Sequence, residues 1–169
     1  MKDGTTHLAY KPEHAVDLDT GAIVAAPIHE AGEGDVASLP KTLEATAQNL
    51  KKIDLAPTPE EPCELIADKG YHSRDGLKDL DGGLWKTRIA EPKPAKGYLR
   101  WHGDEAARTA VYGNRARLKS GVGREAMRRR GEKVERSFAH VLERGGMRRT
   151  WLRGRLNVHK RYLVHVARS

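Results

Sequence analysis

A disulfide framework is excluded at the outset, because the 169 residues hold one cysteine, Cys63. A lone thiol fits a reducing compartment. Long apolar runs are missing too: no stretch approaches the ~20 residues that a membrane-spanning helix needs. The first residues, Met1–Thr6, lack the apolar core of a signal peptide. These absences predict a cytoplasmic protein with no membrane partner. Aromatic residues are scarce at 5%, and the hydrophobic share of 38% stands against 32% charged residues. Such a lean chain should form one domain, or one domain with an appendage, with parts of it solvated. The 8 histidines show no zinc-type spacing with cysteine.

What the chain has in excess is positive charge, and it lies on one side. Residues 1–92 carry 10 Lys and Arg against 17 Asp and Glu, a net −7. Residues 93–169 carry 21 against 6, a net +15. A solvated basic helix would interleave counter-charges at helical spacing, and here they are sparse. The asymmetry points to a polyanion, most simply nucleic acid, as partner of the second part. It also divides the chain into an α/β segment, 1–92, and a basic helical segment, 93–169.

Two apolar runs, one within His7–Leu18 and one at Ala22–Ile28, flank the turn Asp19-Thr20-Gly21 and predict a β-hairpin. Pro27 should make its second strand fray or lie at an edge near its end. A helix is expected from Asp35 or Ser38 to about Lys52, with Leu39, Leu43 and Leu50 on one face. Three prolines between Ala56 and Pro62 mark a linker into a short strand, Leu65-Ile66-Ala67. Ser73 should cap a helix to Leu80, and Trp85–Ala90 should form a further strand. This order gives a mixed α/β sheet whose parallel part is built by crossovers. Beyond Pro94, Ala95–Gly103 reads as a loop and Asp104-Glu105 as the start of a helix to about Leu118. The Arg- and Gly-rich stretch Tyr112–Arg130 is expected to be partly mobile. A helix from Arg128 to about Glu143 should bury Val134, Phe138, Val141 and Leu142. A last one, Leu156–Val166, should turn Leu156, Leu163 and Val166 inward.

Asp68 stands where the strand Leu65–Ala67 ends, just before Gly70. Ligands of open α/β sheets bind outside the carboxyl ends of strands, so a carboxylate there is placed for chemistry; capping the following turn is the plainer role. Glu135, at the margin of the apolar face of its helix, is the candidate partner. Two hard oxygen ligands on separate elements suit Mg²⁺ or Mn²⁺. A pair of such ions about 4 Å apart activates the attacking oxygen and stabilises the leaving one in phosphoryl displacement. Arg128, Arg129, Arg130, Lys133 and Arg136 surround Glu135 and could position a phosphodiester backbone. Arg148, Arg149, Arg153 and Arg155 extend the basic surface. Trp151, between Arg149 and Arg153, is a candidate to stack on a base.

Ile66-Ala67-Asp68-Lys69-Gly70-Tyr71-His72-Ser73 resembles the block around the second acidic residue of bacterial insertion-sequence transposases of the DDE class. Glu132-Lys133-Val134-Glu135-Arg136-Ser137-Phe138-Ala139-His140 is similar to their third acidic block. Gly145–Thr150, Arg153-Gly154 and Asn157–Arg161 resemble the C-terminal segment of that family, and Tyr10–Asp17 resembles the strand after its first acidic residue. The resemblance implies an RNase H-like fold, divalent-metal-dependent DNA cleavage and joining, and binding to the ends of a mobile element. It assigns Asp68 and Glu135 as catalytic metal ligands.

The first aspartate of the family belongs upstream of Tyr10, at the end of a central strand. Asp3 stands in an Asp-Gly-Thr block, but no strand precedes it. The expectation is therefore a C-terminal fragment: an incomplete RNase H-like sheet lacking its first central strand, impaired in catalysis. The alternative is a non-catalytic DNA-binding protein that interferes with an intact transposase. Either would be nucleoid-associated when bound to DNA, with an intact transposase or a second copy as possible partners.

Overall fold

The N-terminal apolar runs fold back on each other. In the computed structural model, which describes residues 10–93, 101 and 103–168, strand β1 (Tyr10–Pro12) pairs antiparallel with β4 (Ile28–Glu30). Strand β2 (Ala15–Val16) pairs in the same sense with β3 (Ile23–Ala25). Asp17 closes the turn, its carboxylate accepting the Thr20 N–H at 2.9 Å. Instead of fraying at Pro27, the hairpin is interrupted in its middle and resumes. The Pro27 carbonyl accepts the Glu13 N–H at 3.0 Å, and pairing continues in β4. Proline lacks only the donor, so its acceptor side still serves the ladder. His7 and Leu8, Asp3, and most of the expected loop Ala95–Gly103 lie outside the described residues.

Helix α1 (Asp35–Lys51) begins at Asp35, and Ser38 faces inward with Leu39 and Leu43. Strand β5 (Cys63–Ala67) runs parallel to β6 (Trp85–Ile89). A 3-10 turn (Lys69–Tyr71) and helix α2 (Arg74–Leu80) connect them. Ser73 caps α2, accepting the Gly76 N–H at 2.9 Å. The α/β arrangement holds, but it is not one sheet: the described strands form three two-stranded sheets. Among the described residues β5 bonds only to β6, and its Leu65 and Ile66 are half-buried.

Helix α3 (Glu105–Lys119) closes the other edge of β6. Asn114, fully buried, accepts the Ile89 N–H and donates to the Ile89 carbonyl, both at 2.8 Å. Arg117 donates to the Thr87 carbonyl at 2.7 Å. Side chains thus take the place of a neighbouring strand along this edge. Leu39, Leu43, Ala67, Leu77, Ile89, Ala110 and Val111 form the first core, with Trp85 and Trp101 against it.

The stretch Tyr112–Arg130, expected to be partly mobile, is helical apart from a sharp corner at Ser120. Helix α4 (Gly121–Phe138) therefore starts at Gly121, well before Arg128. The Ser120 hydroxyl accepts the Gly123 N–H at 2.9 Å, and a Cβ at Gly123 would overlap the Arg117 carbonyl. Only glycine lets α4 start that close to the end of α3. After Phe138 the helix widens into a π-helical stretch (Ala139–Arg144), so the regular helix does not reach Glu143. Helix α5 (Arg155–Val166) buries Val158 and Tyr162, while Leu156 and Leu163 are exposed. The sequence has two apolar stripes on this helix, and packing selects the one that meets Val141 and Met147. That second core, with Ala26 and Ile28, takes residues from both charge segments, as the first core does.

Replacing Asn114 with alanine strands a buried N–H and a buried carbonyl at Ile89. We expect a loss of about 2–4 kcal/mol in unfolding free energy by urea titration, with the slope unchanged.

Candidate active site and nucleic-acid interface

Asp68 stands at the carboxyl end of β5, where α4 crosses. Its Oδ1 accepts the Gly70 N–H at 2.9 Å, and Arg130 Nη2 of α4 lies 3.5 Å from its Oδ2. The capping role is thus observed, at the strand end where the sequence places Asp68. A Cβ at Gly70 would displace the Asp35 carboxylate and press on Asp68, so a side chain there would disturb both.

The network behind this turn was not foreseen. Glu13 is buried and accepts from the Ser38 and Thr42 hydroxyls, each at 2.5 Å, and Lys11 lies 3.0 Å away. Burial alone would raise its carboxyl, but the hydrogen bonds from Ser38, Thr42 and Lys11 outweigh it and hold the group below the usual carboxylate range. Lys11 also bonds Asp35 at 2.9 Å, which ties β1 to the start of α1 beside Gly70. The sequence signal was slight: Lys11 and Glu13 are two opposite charges flanking Pro12 in an otherwise apolar strand region.

A second, half-buried group sets the position of α4. His14 Nδ1 lies 2.8 Å from Ser137 Oγ, and its Nε2 lies 2.7 Å from the Tyr162 hydroxyl. Its ring stacks on Phe138 at 4.1 Å between centroids, with 4° between planes. Ser137 gives its own proton to the Val134 carbonyl, so it accepts from His14 Nδ1–H and leaves Nε2 to accept from Tyr162. Both nitrogens are satisfied in the neutral ring. Burial lowers the His14 pKa to about 4.

The candidate residues separate by where α4 turns them. Arg130 reaches Asp68. Arg129 donates to the Leu18 carbonyl and to Asp19 at 2.8 Å, and Lys133 packs over Gly21, so both hold the hairpin. Arg128 pairs with Glu125 and Arg136 with Glu132 on the solvent side. Glu135 is exposed and lines a groove of about 370 Å³ with Arg130, Val134, Phe138, Leu142 and Arg148. Arg148 pairs with Glu143 at its rim. Arg149, Arg153 and Arg155 are exposed and make no ion pair among the described residues. Trp151 is 78% exposed, with the Arg161 guanidinium 3.9 Å from the ring centroid on one face.

The Asp68 and Glu135 carboxylates are the hard donors that Mg²⁺ and Mn²⁺ take, and both reach solvent. Among the described residues no group of three His, Cys, Asp or Glu side chains gathers as a metal site. Donor type fits; donor number among these residues does not complete a site.

The α/β frame thus sets an acidic strand end against a basic helix, beside arginines that make no ion pair among the described residues. The chain matches the transposase DDE domain model over residues 1–168 and belongs to that family. Its function accordingly lies in DNA transposition, a reaction that such domains generally carry out with divalent metals. No curated protein and no solved structure matches the chain. No helix among the described residues is long and apolar enough to cross a membrane.

Unfolded, His14 titrates near 6.5; folded, at about 4. The unfolded chain therefore binds more protons in that interval, and stability falls as pH drops. The neutral clamp contributes fully above pH 6.5 and is lost toward pH 4, by up to about 3 kcal/mol. Urea midpoints measured from pH 7.5 to 4.5 should fall more steeply for the wild type than for His14→Gln.

Proposed function

We propose that this chain is an RNase H-like transposase core that cuts and joins DNA at the ends of an insertion sequence, with Asp68 and Glu135 as its metal-holding carboxylates. The observation that carries the reading is Asp68 at the end of the parallel strand β5, under the helix that bears Glu135. Bound Mg²⁺ or Mn²⁺ would supply Lewis-acid activation at a phosphodiester. The chain's own part is to hold the two carboxylates, position the DNA backbone through its arginines and offer Trp151 to an unstacked base. Arg149, Arg153 and Arg155 are the freest phosphate ligands, and the remaining arginines and Lys133 join by releasing internal partners. Among the described residues β5 bonds only to β6, so its other edge can take a further strand. On this reading, segments 1–92 and 93–169 are parts of one core, distinguished by charge.

A second reading is a DNA-binding protein without chemistry, able to interfere with an intact transposase. It is favoured by the two-carboxylate arrangement and by the Arg130 pairing at Asp68. Incubation with element-end duplex and Mn²⁺ separates the two. Cleavage that drops by at least about 100-fold in both Asp68→Ala and Glu135→Ala supports the enzyme. Salt-sensitive binding with no cleavage supports the second reading, and neither activity removes both.

Within either reading, Arg153→Ala should lower the slope of log affinity against log salt by about one. Trp151→Ala should weaken single-stranded DNA by about 1–3 kcal/mol while sparing duplex, measured by fluorescence anisotropy.

A further inference from the structure

The carboxylate assigned to a metal ion already has a cation. Asp68 Oδ2 faces Arg130 Nη2 at 3.5 Å, while Oδ1 is held by the Gly70 N–H at 2.9 Å. The guanidinium comes from α4, the helix that carries Glu135, and it lines the same groove as Glu135. A divalent ion coordinated by Asp68 on its Arg130 side meets this positive charge at short range, and the two repel.

The pair is suited to separation. It is one long contact, not the bidentate fork that makes arginine–carboxylate pairs strong. The Asp68 side chain is 47% exposed and that of Arg130 is 23% exposed, so water screens the attraction. Arg130 has no other ion pair among the described residues. Once displaced, it stays tethered to α4 beside the groove. The anion it can meet there is a phosphate of DNA lying along the basic surface.

We propose that Arg130 is an exchangeable cation: it neutralises Asp68 in the free protein, yields that carboxylate to the divalent ion, and transfers to a DNA phosphate. This rests on reading Asp68 as a metal ligand and adds a coupling between the two ligands. Metal frees the arginine for DNA, DNA holds the arginine away from the metal ligand, and each therefore raises affinity for the other by the same factor.

The test is Mn²⁺ binding to the full chain, followed by electron paramagnetic resonance of the free ion. Arg130→Gln should bind Mn²⁺ about two- to fivefold more tightly than wild type in the absence of DNA. Asp68→Asn should bind it more weakly. In the wild type, Mg²⁺ should shift the Arg130 Nε–Hε resonance in ¹⁵N NMR and raise affinity for duplex DNA, and Arg130→Gln should lose that rise. If Asp68→Asn binds Mn²⁺ as wild type does, the metal-ligand reading falls and the exchange with it. If Asp68→Asn binds more weakly but Arg130→Gln gains nothing, the metal site stands and the exchange is overturned. Should Arg130→Gln fail to fold, the wild-type resonance decides: a shift with Mg²⁺ supports the exchange, and an unmoved signal overturns it.

Discussion

The neutral ring of His14 is the contact on which the geometry of this protein turns. It binds Ser137 through one nitrogen and Tyr162 through the other, and stacks on Phe138. Three separate parts of the chain, the hairpin, α4 and α5, therefore meet at one imidazole. Rotation of α4 about its axis is fixed there, and that rotation decides that Arg130 points to Asp68, Arg129 and Lys133 to the hairpin, and Arg128 and Arg136 to solvent. A site whose acidic residue stands on one element and whose cations stand on another depends on such an anchor, because a small turn of the helix would present different side chains to the strand end.

Much of the frame was readable because it rests on local rules. Ser73 and Asp104 cap helices as their positions promise, and the short apolar runs at Cys63–Ala67 and Trp85–Ile89 are the parallel pair. The position of Asp68, at a strand end before a glycine, was readable in the same way. What the residues could not reveal was tertiary choice. Helix α5 has two apolar stripes, and only contact with Val141 and Met147 selects Val158 and Tyr162. The Arg-rich stretch Tyr112–Arg130 looked mobile because its charges have few local partners; distant ones hold it, Arg115 to Glu91, Arg129 to Asp19 and Arg130 to Asp68. The π-helical widening after Phe138 likewise has no local composition signal.

The buried Glu13 shows the same limit at the level of a single side chain. A carboxylate in a strand region is costly unless several donors meet it, and no sequence pattern states which donors those are. Ser38 and Thr42 supply them from one face of α1. The hydroxyl spacing of that helix becomes meaningful only once the hairpin is laid against it.

The lopsided charge has one more consequence. The basic segment is folded onto its own acidic segment, with Arg129 and Arg130 resting on Asp19 and Asp68, so part of its positive charge is already met within the chain. Any DNA that reaches these arginines competes with intramolecular carboxylates before it competes with counterions. Counting phosphate contacts from ionic strength alone would then undercount them, because added salt loosens the resident pairs together with the incoming ones.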